Sequence, residues 1–262
     1  MINIPGNQPL ILGMRVDPTS YAEASRMIID WAGEGASRYV CFPNVYNVMQ
    51  AYDSKAFRRI TNDADLVTPD GMPLVWGLKH LGYPSATRVY GPDLTLIVLQ
   101  MAADAGIPVG FYGSTPDVLA KIRAVLSEKF PHLHVAYGHA PPFSEHTSGE
   151  DGRAVALINA SGARILFVGL GTPKQDYWMA GHRGKVQAVM LGVGAAFDFL
   201  AGTKPQAPRW MMRIGMEWFF RLITEPRRLW KRYLRDNPRF VVLFALQLLG
   251  VKRFPNHVSS RH

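Results

Sequence analysis

Short runs rich in β-branched and aromatic residues alternate with helical patterns along most of this chain. The predicted strands are Ile11–Val16, Tyr39–Phe42, Asp65–Thr68, Val109–Tyr112, His134–Tyr137, Ile165–Val168 and Val186–Leu191. The predicted helices are Thr19–Trp31, Val45–Ile60, Met72–Leu81, Pro92–Ala105, Pro116–Phe130, Gly149–Ala160 and Lys174–Ala180. Strands separated by helices of about ten to fifteen residues favour a parallel sheet. We therefore predict an α/β, Rossmann-like fold, with a largely parallel sheet and helices on both of its faces.

The composition excludes a generally disordered chain, because 48% of the 262 residues are hydrophobic and 19% are charged. Cys41, the single cysteine, lies in an apolar run, so we interpret it as a core residue. The N-terminal sequence lacks a basic region followed by a long apolar stretch and predicts no secretory signal. The apolar run Phe240–Leu249 is shorter than the roughly 20 residues of a membrane-spanning helix. We therefore expect a cytoplasmic protein.

The net charge of +9 is concentrated in one segment near the C-terminus. Between residues 204 and 239, ten basic residues and three acidic ones give +7, and aromatic residues lie among them. A helical projection separates an apolar stripe from a basic one, namely Met211, Ile214, Trp218 and Leu222 against Arg228, Arg232, Arg235 and Arg239. Such a basic amphipathic segment is typical of a membrane-surface element. We predict an α/β core over residues 1–202 and a basic, helical, membrane-associating appendage over residues 203–262.

Five polar or glycine-bearing loops follow predicted strands. They are FPN at 42–44, TPDG at 68–71, YGS at 112–114, GLGTPKQ at 169–175 and GVGAAFD at 192–198. In a parallel sheet the carboxyl ends of the strands meet at one edge, and ligands bind there. The loops therefore predict a binding site at this edge. The last two loops supply its substrate-binding candidates, Gly171, Lys174, Gln175, Gly194 and Asp198.

The glycine loops match no complete nucleotide-binding motif. Gly169-Leu-Gly171 and Gly192-Val-Gly194 lack the third glycine of the dinucleotide fingerprint, and no strand-end carboxylate follows about 20 residues later. Glycines and helix N-termini can nevertheless accept a diphosphate, because they offer free N–H groups and a partial positive charge. On these residues alone, an NAD-dependent oxidoreductase and a nucleic-acid-binding protein that uses the basic segment remain alternatives.

The sequence gives little indication of a metal site. His132 and His134 alternate on a predicted strand without a nearby Cys, Asp or Glu. Asp63-Ala-Asp65 matches the Asp-x-Asp pattern of many metal-dependent sugar-nucleotide enzymes, but any two aspartates at this spacing would do so. Asp63 is also predicted to end the preceding helix. We therefore predict no metal and no cofactor.

Six motifs occur in a fixed order: FPNVYNVM (42–49), ADLVTPDGMPLVW (64–76), TRVYGPDL (87–94), GLGTPKQDYWM (169–179), GVGAAFDFLAGTKPQAPRWM (192–211) and EWFFRLITEPRRLWKRY (217–233). Together they resemble the WecG/TagA/CpsF family of bacterial glycosyltransferases over nearly the whole chain. The resemblance implies an inverting, metal-independent transfer from a UDP-sugar to a polyprenyl-diphosphate-linked saccharide. It also implies a peripheral enzyme of cell-surface polysaccharide or exopolysaccharide synthesis, bound to the anionic cytoplasmic face of the bacterial inner membrane, with no nucleic-acid partner.

The resemblance also assigns roles to individual residues. Asp70 matches the catalytic base, other active-site positions are Asn44, Arg88 and Gln175, and positions that meet the acceptor diphosphate are Arg213, Arg221 and Arg228. The chain departs from the family pattern at Phe42, where Thr is common before Pro-Asn. The resemblance leaves the donor sugar and the formation of a homo-oligomer open.

The chemistry of the residues agrees with these roles. An inverting transfer needs a general base that removes the proton of the attacking hydroxyl, a task that suits a carboxylate at a strand end. Loss of UDP leaves negative charge on a diphosphate, which helix N-termini and Arg or Lys side chains can stabilise. Pro69 and Gly71 are predicted to shape a turn that directs Asp70 into the cleft.

Overall fold

A computed structural model describes residues 8–141 and 148–254 of the chain. The strands are β1 (Leu10–Ile11), β2 (Met14–Arg15), β3 (Arg38–Cys41), β4 (Leu66–Val67), β5 (Val109–Gly113), β6 (Val135–His139), β7 (Ile165–Gly169) and β8 (Val189–Leu191). The helices are α1 (Tyr21–Glu34), α2 (Val45–Asp53), α3 (Lys55–Asn62), α4 (Met72–His80), α5 (Gly91–Asp104), α6 (Pro116–Lys129), α7 (Ser148–Ala160), α8 (Lys174–His182), α9 (Ala196–Leu200), α10 (Arg209–Arg213), α11 (Glu217–Thr224) and α12 (Pro226–Leu248). Residues 1–7 and 255–262, at the ends of the two predicted domains, lie outside the described part of the chain. Residues 1–7 belong to the N-terminal segment that we interpreted as lacking a secretory signal.

The six strands β3 to β8 form one wholly parallel sheet in the order β4-β3-β8-β7-β5-β6. Successive residues of β7 point to opposite faces, so Phe167 packs in one buried cluster while Leu166 and Val168 pack in the other. Phe111 on β5 stacks on Phe167 with ring centroids 5.2 Å apart. The two apolar clusters lie on the two faces of the sheet, and this confirms the predicted α/β fold.

The strand register places the predicted loops at one edge of the sheet. Cys41 is paired with Val67 at the ends of β3 and β4, and Gly113 is paired with Gly169 at the ends of β5 and β7. Leu191 of β8 lies between β3 and β7, opposite Val40 on one side and Phe167 on the other. The loops that follow these strands therefore start side by side, as the sequence predicted.

Two predicted elements are divided in the structure. The predicted strand Ile11–Val16 is an antiparallel hairpin of β1 and β2, because Leu12 and Gly13 turn the chain with φ of 52° and 86°. The predicted helix Val45–Ile60 is two helices, because Ser54 has extended backbone angles and its side chain accepts a hydrogen bond from the Phe57 N–H at 3.2 Å. Serine is a favourable residue at the start of a helix, so it begins α3 instead of continuing α2.

Two further expectations need correction. His132 and His134 precede β6 rather than alternate along it, because the chain turns after α6 with the Leu133 N–H bound to the Phe130 carbonyl at 2.9 Å. The basic segment is not one helix, because Gly215 with φ of 76° separates α10 from α11. The predicted apolar stripe is therefore shared between α10, α11 and the turn between them, whereas the four arginines of the basic stripe all lie on α12.

Helix α12 is packed against the core along its second half. Phe240 and Phe244 are buried in the same apolar cluster as residues of the sheet, and their rings stack 5.7 Å apart. At the far end, the Gln247 side chain accepts a hydrogen bond from the Leu12 N–H at 2.8 Å and donates one to the Leu10 carbonyl at 2.6 Å. Among the described residues, no helix combines the length and the apolar character that crossing a membrane requires.

Gln247 is expected to hold α12 on the N-terminal hairpin. Replacing it with alanine leaves the buried Leu12 N–H without its acceptor, which costs about 1–3 kcal/mol. We therefore predict that Gln247→Ala lowers the free energy of unfolding by that amount in urea denaturation. Gln100→Ala is the matched control, because the Gln100 side chain bonds to Asp104 on an exposed helix face. Equal stability of the two variants would contradict the anchoring role.

Candidate active site

Asp70 lies in a tight turn between β4 and α4. Its N–H donates to the Thr68 carbonyl at 3.0 Å, and the Val89 N–H donates to the Pro69 carbonyl at 3.1 Å. Gly71 then begins α4, and a Cβ added to it would lie 3.4 Å from the Asn44 Cβ. The turn is therefore fixed by the neighbouring segment at Val89 and closely approached by the start of α2.

Arg88 is shared between two carboxylates. Its Nη2 lies 3.5 Å from Asp70 Oδ1 and 2.5 Å from Oε2 of Glu217. Its Nε donates to the backbone carbonyl of Asp70, and its guanidinium stacks over the Tyr90 ring at 4.3 Å. The three charged side chains are only 13–16% exposed. One cation therefore connects Asp70 in the sheet body to Glu217 at the start of α11.

The environment of Asp70 favours its neutral form. Desolvation by burial raises its pKa to about 7, and the charge of Glu217 acts in the same direction, while Arg88 and Arg221 oppose the shift. A carboxyl with a pKa near neutrality can both lose and accept a proton under physiological conditions. Strongly shifted carboxyl groups of this kind cluster at functional sites.

A cavity of about 570 Å³ opens in front of Asp70. One wall is formed by the start of α2, the β4–α4 turn and α4, and the other is formed by α11 and α12. Asn44 lies at its edge, where its Oδ1 accepts hydrogen bonds from the Tyr46 N–H at 3.0 Å and from Arg232 Nη2 at 3.4 Å. Arg232 also stacks over the Tyr46 ring at 3.4 Å. Both the α/β body and the C-terminal helices therefore contribute to the cavity.

Gln175 connects the two glycine loops. Its Nε2 donates to the Gly192 carbonyl at 2.7 Å, and its Oε1 accepts from the Gly171 N–H at 3.1 Å. The side chain is buried, and a Cβ added to Gly194 would lie 3.2 Å from its Oε1. Gln175 thus sets the spacing of these loops, while Lys174 is exposed at the first position of α8.

The predicted site residues do not all line the cavity. Those that do are Asn44, Asp70, Arg88 and Arg221. Gly171, Lys174, Gln175 and Gly194 lie at the adjacent strand ends of β7 and β8, on the same edge of the sheet. The remaining three do not line the cavity. Asp198 pairs with Lys204 at 2.7 Å, Arg228 pairs with Glu225 at 2.7 Å, and Arg213 is exposed at the end of α10.

Sequence reasoning missed most of the residues that line this cavity, including three in its charged part. Glu217 was counted only as an acid within a basic segment, Tyr90 was not considered, and Arg232 was assigned only to the basic stripe. The signal for Glu217 was its isolation, since it is the first of only three acidic residues between 204 and 239. Its pairing with Arg88 joins residues 129 positions apart and could not be read from local spacing.

The Asp-x-Asp pattern has a structural explanation. Asp65 accepts hydrogen bonds from the Tyr39 N–H at 3.0 Å, from Arg38 at 3.0 Å and from Arg183 at 2.8 Å. Asp63 ends α3, as predicted. Within residues 8–141 and 148–254, no group of three or more His, Cys, Asp or Glu side chains is arranged to hold a metal ion.

A parallel α/β sheet with a carboxylate at its carboxyl edge, roofed by cationic helices, is consistent with a group-transfer enzyme. The profile described as "Glycosyl transferase WecG/TagA/CpsF family" matches residues 9–254, so the chain belongs to this family of glycosyltransferases. This membership favours neither the oxidoreductase nor the nucleic-acid-binding alternative.

Two relatives with named activities are similar to this chain over most of its length. A protein of Bacillus spizizenii is 29% identical over 228 residues, which cover 86% of each chain. A protein of Staphylococcus aureus strain NCTC 8325 is 26% identical over 248 residues, 93% of this chain and 94% of its own. Both are named N-acetylglucosaminyldiphosphoundecaprenol N-acetyl-beta-D-mannosaminyltransferase.

The shifted pKa of Asp70 predicts how stability depends on pH. Its folded-state pKa of about 7 lies above 3.8, the ordinary pKa of an aspartate side chain. The folded protein therefore binds this proton more tightly, and the free energy of unfolding falls as pH rises from about 4 to about 7. Asp70→Asn removes the titration. We expect the variant to be more stable than the wild type at pH 8, by at most about 4 kcal/mol, and similar at pH 4.

Urea denaturation at both pH values measures this difference. Asp53→Asn is a control of opposite sign, because its hydrogen bond with Arg239 lowers the pKa of Asp53. That variant should lose stability at pH 8 rather than gain it. A wild type that is more stable than Asp70→Asn at pH 8 would show that the Asp70 carboxylate is not destabilised by burial.

Proposed function

We propose that this protein is an inverting, metal-independent glycosyltransferase that moves a sugar from a UDP-sugar to a polyprenyl-diphosphate-linked saccharide. The observation that carries the proposal is Asp70, a half-buried carboxyl with a pKa of about 7 at the opening of a cavity between the core and the C-terminal helices. Membership of a glycosyltransferase family restricts the reaction class. The product would enter cell-surface polysaccharide or exopolysaccharide synthesis.

In the proposed reaction, an acceptor hydroxyl attacks the anomeric carbon of the donor sugar. Asp70 takes the hydroxyl proton as the new carbon–oxygen bond forms, and the bond between the sugar and UDP breaks. Attack from the side opposite the leaving group inverts the anomeric configuration. A positioned general base typically contributes about 10²–10⁴-fold to the rate. Arg88 would hold Asp70 in place through its contacts with the side chain and backbone of this residue.

The donor diphosphate is proposed to bind at the glycine loops beside this cavity. Gly171 and Gly194 both have positive φ, at 76° and 44°, and Lys174 is exposed at the start of α8. Backbone N–H groups and a lysine at a helix N-terminus can stabilise the charge that develops on departing UDP. The buried Gln175 would keep the two loops at the spacing that the diphosphate needs. These groups supply the stabilisation for which other enzymes use a metal.

The acceptor diphosphate is proposed to bind at the C-terminal helices. Arg221 and Arg232 line the cavity, and neither makes an ion pair within 4.0 Å among the described residues. Arginine is suited to this role because its planar group can donate two hydrogen bonds to phosphate oxygens. Arg213, at the end of α10, and Arg228, on α12, are exposed outside the cavity lining and would add attraction for phosphate groups. The names of the relatives make N-acetylglucosaminyl-diphospholipid the first acceptor to test, with UDP-N-acetylmannosamine as donor.

The C-terminal helices are also proposed to hold the enzyme on the cytoplasmic face of the inner membrane. Large apolar side chains exposed on them, or in the turn that joins α10 to α11, include Trp210, Ile214, Trp218, Phe219, Ile223, Trp230 and Leu234. Aromatic and aliphatic side chains combined with arginines bind an anionic membrane surface. We accordingly propose the division that the sequence predicted, with a transferase core over residues 1–202 and an appendage over 203–262.

Replacing the base tests the chemical proposal. Asp70→Asn keeps the size of the side chain but cannot accept a proton, so we expect transfer to fall by about 10²-fold or more. UDP affinity, measured by calorimetry with EDTA present, should change little. Asp104→Asn is the matched control and should keep normal turnover, because this carboxylate bonds to Gln100 on an exposed face of α5, outside the cavity lining. Near-normal turnover by Asp70→Asn would remove Asp70 from the role of base.

Charged substitutions on the C-terminal helices test the proposed membrane-binding surface of the protein without changing a residue that lines the cavity. Ile223 and Leu234 are 63% and 69% exposed, so the double variant Ile223→Asp/Leu234→Asp should fold normally. We expect its co-sedimentation with phosphatidylglycerol vesicles to fall at least about tenfold, since two apolar contacts and two units of charge are changed. Leu157→Asp is the control, because Leu157 is 50% exposed on α7, which belongs to the α/β domain and not to the C-terminal helices. Equal binding by all three proteins would contradict the proposed orientation.

A further inference from the structure

The cavity lining changes from polar to apolar along one face of α12. The polar residues come first, at Arg232, Tyr233, Asp236 and Asn237, and the apolar ones follow, at Phe240, Val241, Phe244, Ala245 and Leu248. Their spacing of three and four residues places them on one side of the helix. From Arg232 to Leu248 this face extends about 24 Å. The cavity therefore has a charged end beside Asp70 and a long apolar extension.

Helix α4 forms the opposite wall of the extension. Met72, Trp76 and Gly77 line it, and the two helices approach closely at Gly77. A Cβ at this position would lie 3.1 Å from Cζ of Phe244, so the absence of a side chain permits this packing. Phe244 is buried and forms the floor, while Trp76 is 45% and Val241 is 64% exposed at the rim. The extension is thus an open apolar groove with a closed floor.

The charges at the polar end are unbalanced. Arg88 is engaged by Asp70 and Glu217, and Asp236 is engaged by Arg235. Arg221 and Arg232 face the same cavity and form no ion pair among residues 8–141 and 148–254. Two guanidinium groups that no described carboxylate pairs with therefore remain available to an anionic group at this end. A ligand that matches the whole cavity has a doubly charged head and a long apolar tail.

We propose that the groove between α4 and α12 binds the first isoprene units of the acceptor lipid, with its diphosphate at Arg221 and Arg232. The inference rests on the proposed function and adds a binding site for the chain itself. The open rim is consistent with a lipid that continues into a membrane, since Leu248 at the end of the groove is 44% exposed and Leu249, the next residue, is 76% exposed. Recognition of the chain would direct the saccharide towards Asp70 at a fixed distance from the membrane.

Binding of inorganic diphosphate and of farnesyl diphosphate to the full-length protein tests the groove without any donor sugar. Burial of three isoprene units should make farnesyl diphosphate bind at least about tenfold more tightly than inorganic diphosphate. Val241→Asp places a charge in the groove and should abolish this difference. Val242→Asp is the matched control, because Val242 is the next residue of α12, is 59% exposed and does not line the cavity. It should keep the tenfold difference.

Ala245→Trp provides a second variant, which fills the groove without adding charge and should also abolish the preference for the chain. The proposal is overturned if the wild type binds the two ligands equally, if Val241→Asp keeps the preference, or if Val242→Asp loses it as well. Failure of the proposed function would appear separately. In that case the wild type would prefer farnesyl diphosphate but would transfer no sugar to a short-chain, diphosphate-linked N-acetylglucosamine.

Discussion

The contact of Arg88 with two carboxylates connects the core of this protein to its C-terminal helices. The arginine lies closer to Glu217, at 2.5 Å, than to Asp70, at 3.5 Å. If Glu217 were absent, the guanidinium would be free to pair fully with Asp70, and this would favour the charged carboxylate. The position of α11 therefore influences the basicity of a group that belongs to the sheet. This coupling gives the C-terminal helices a role in the chemistry in addition to their proposed role at the membrane.

The same helices determine the shape of the site. The second half of α12 is held by Phe240 and Phe244 in the main core and by Gln247 on the hairpin. Its first half carries Arg232, which faces the cavity and is half-buried there by stacking on Tyr46. One helix can therefore place a cationic group and an apolar groove in a fixed relation to Asp70, as the proposed transfer to a lipid-linked acceptor requires.

Much of this arrangement could be predicted from the sequence, because parallel strands bring the loops at their carboxyl ends together. Asp70 in TPDG and the glycine loops were identified in this way, as was the α/β fold. The break at Ser54 was missed because the apolar pattern continues through it, although a serine cap ends the helix. Glu217 was missed for a different reason. Its partner Arg88 lies in another segment, and only tertiary packing reveals a pair so distant in sequence.

The pH dependence of kcat/KM for sugar transfer, compared between the wild type and Glu217→Gln, tests the central claim most directly. The wild type should lose activity as pH falls through about 7, where Asp70 becomes protonated. Removing the charge of Glu217 should move this limb to lower pH, because a nearby negative charge is lost and Arg88 can pair fully with Asp70. An acidic limb that stays in place in Glu217→Gln, or that moves to higher pH, would contradict the proposed control of Asp70 by the C-terminal helices.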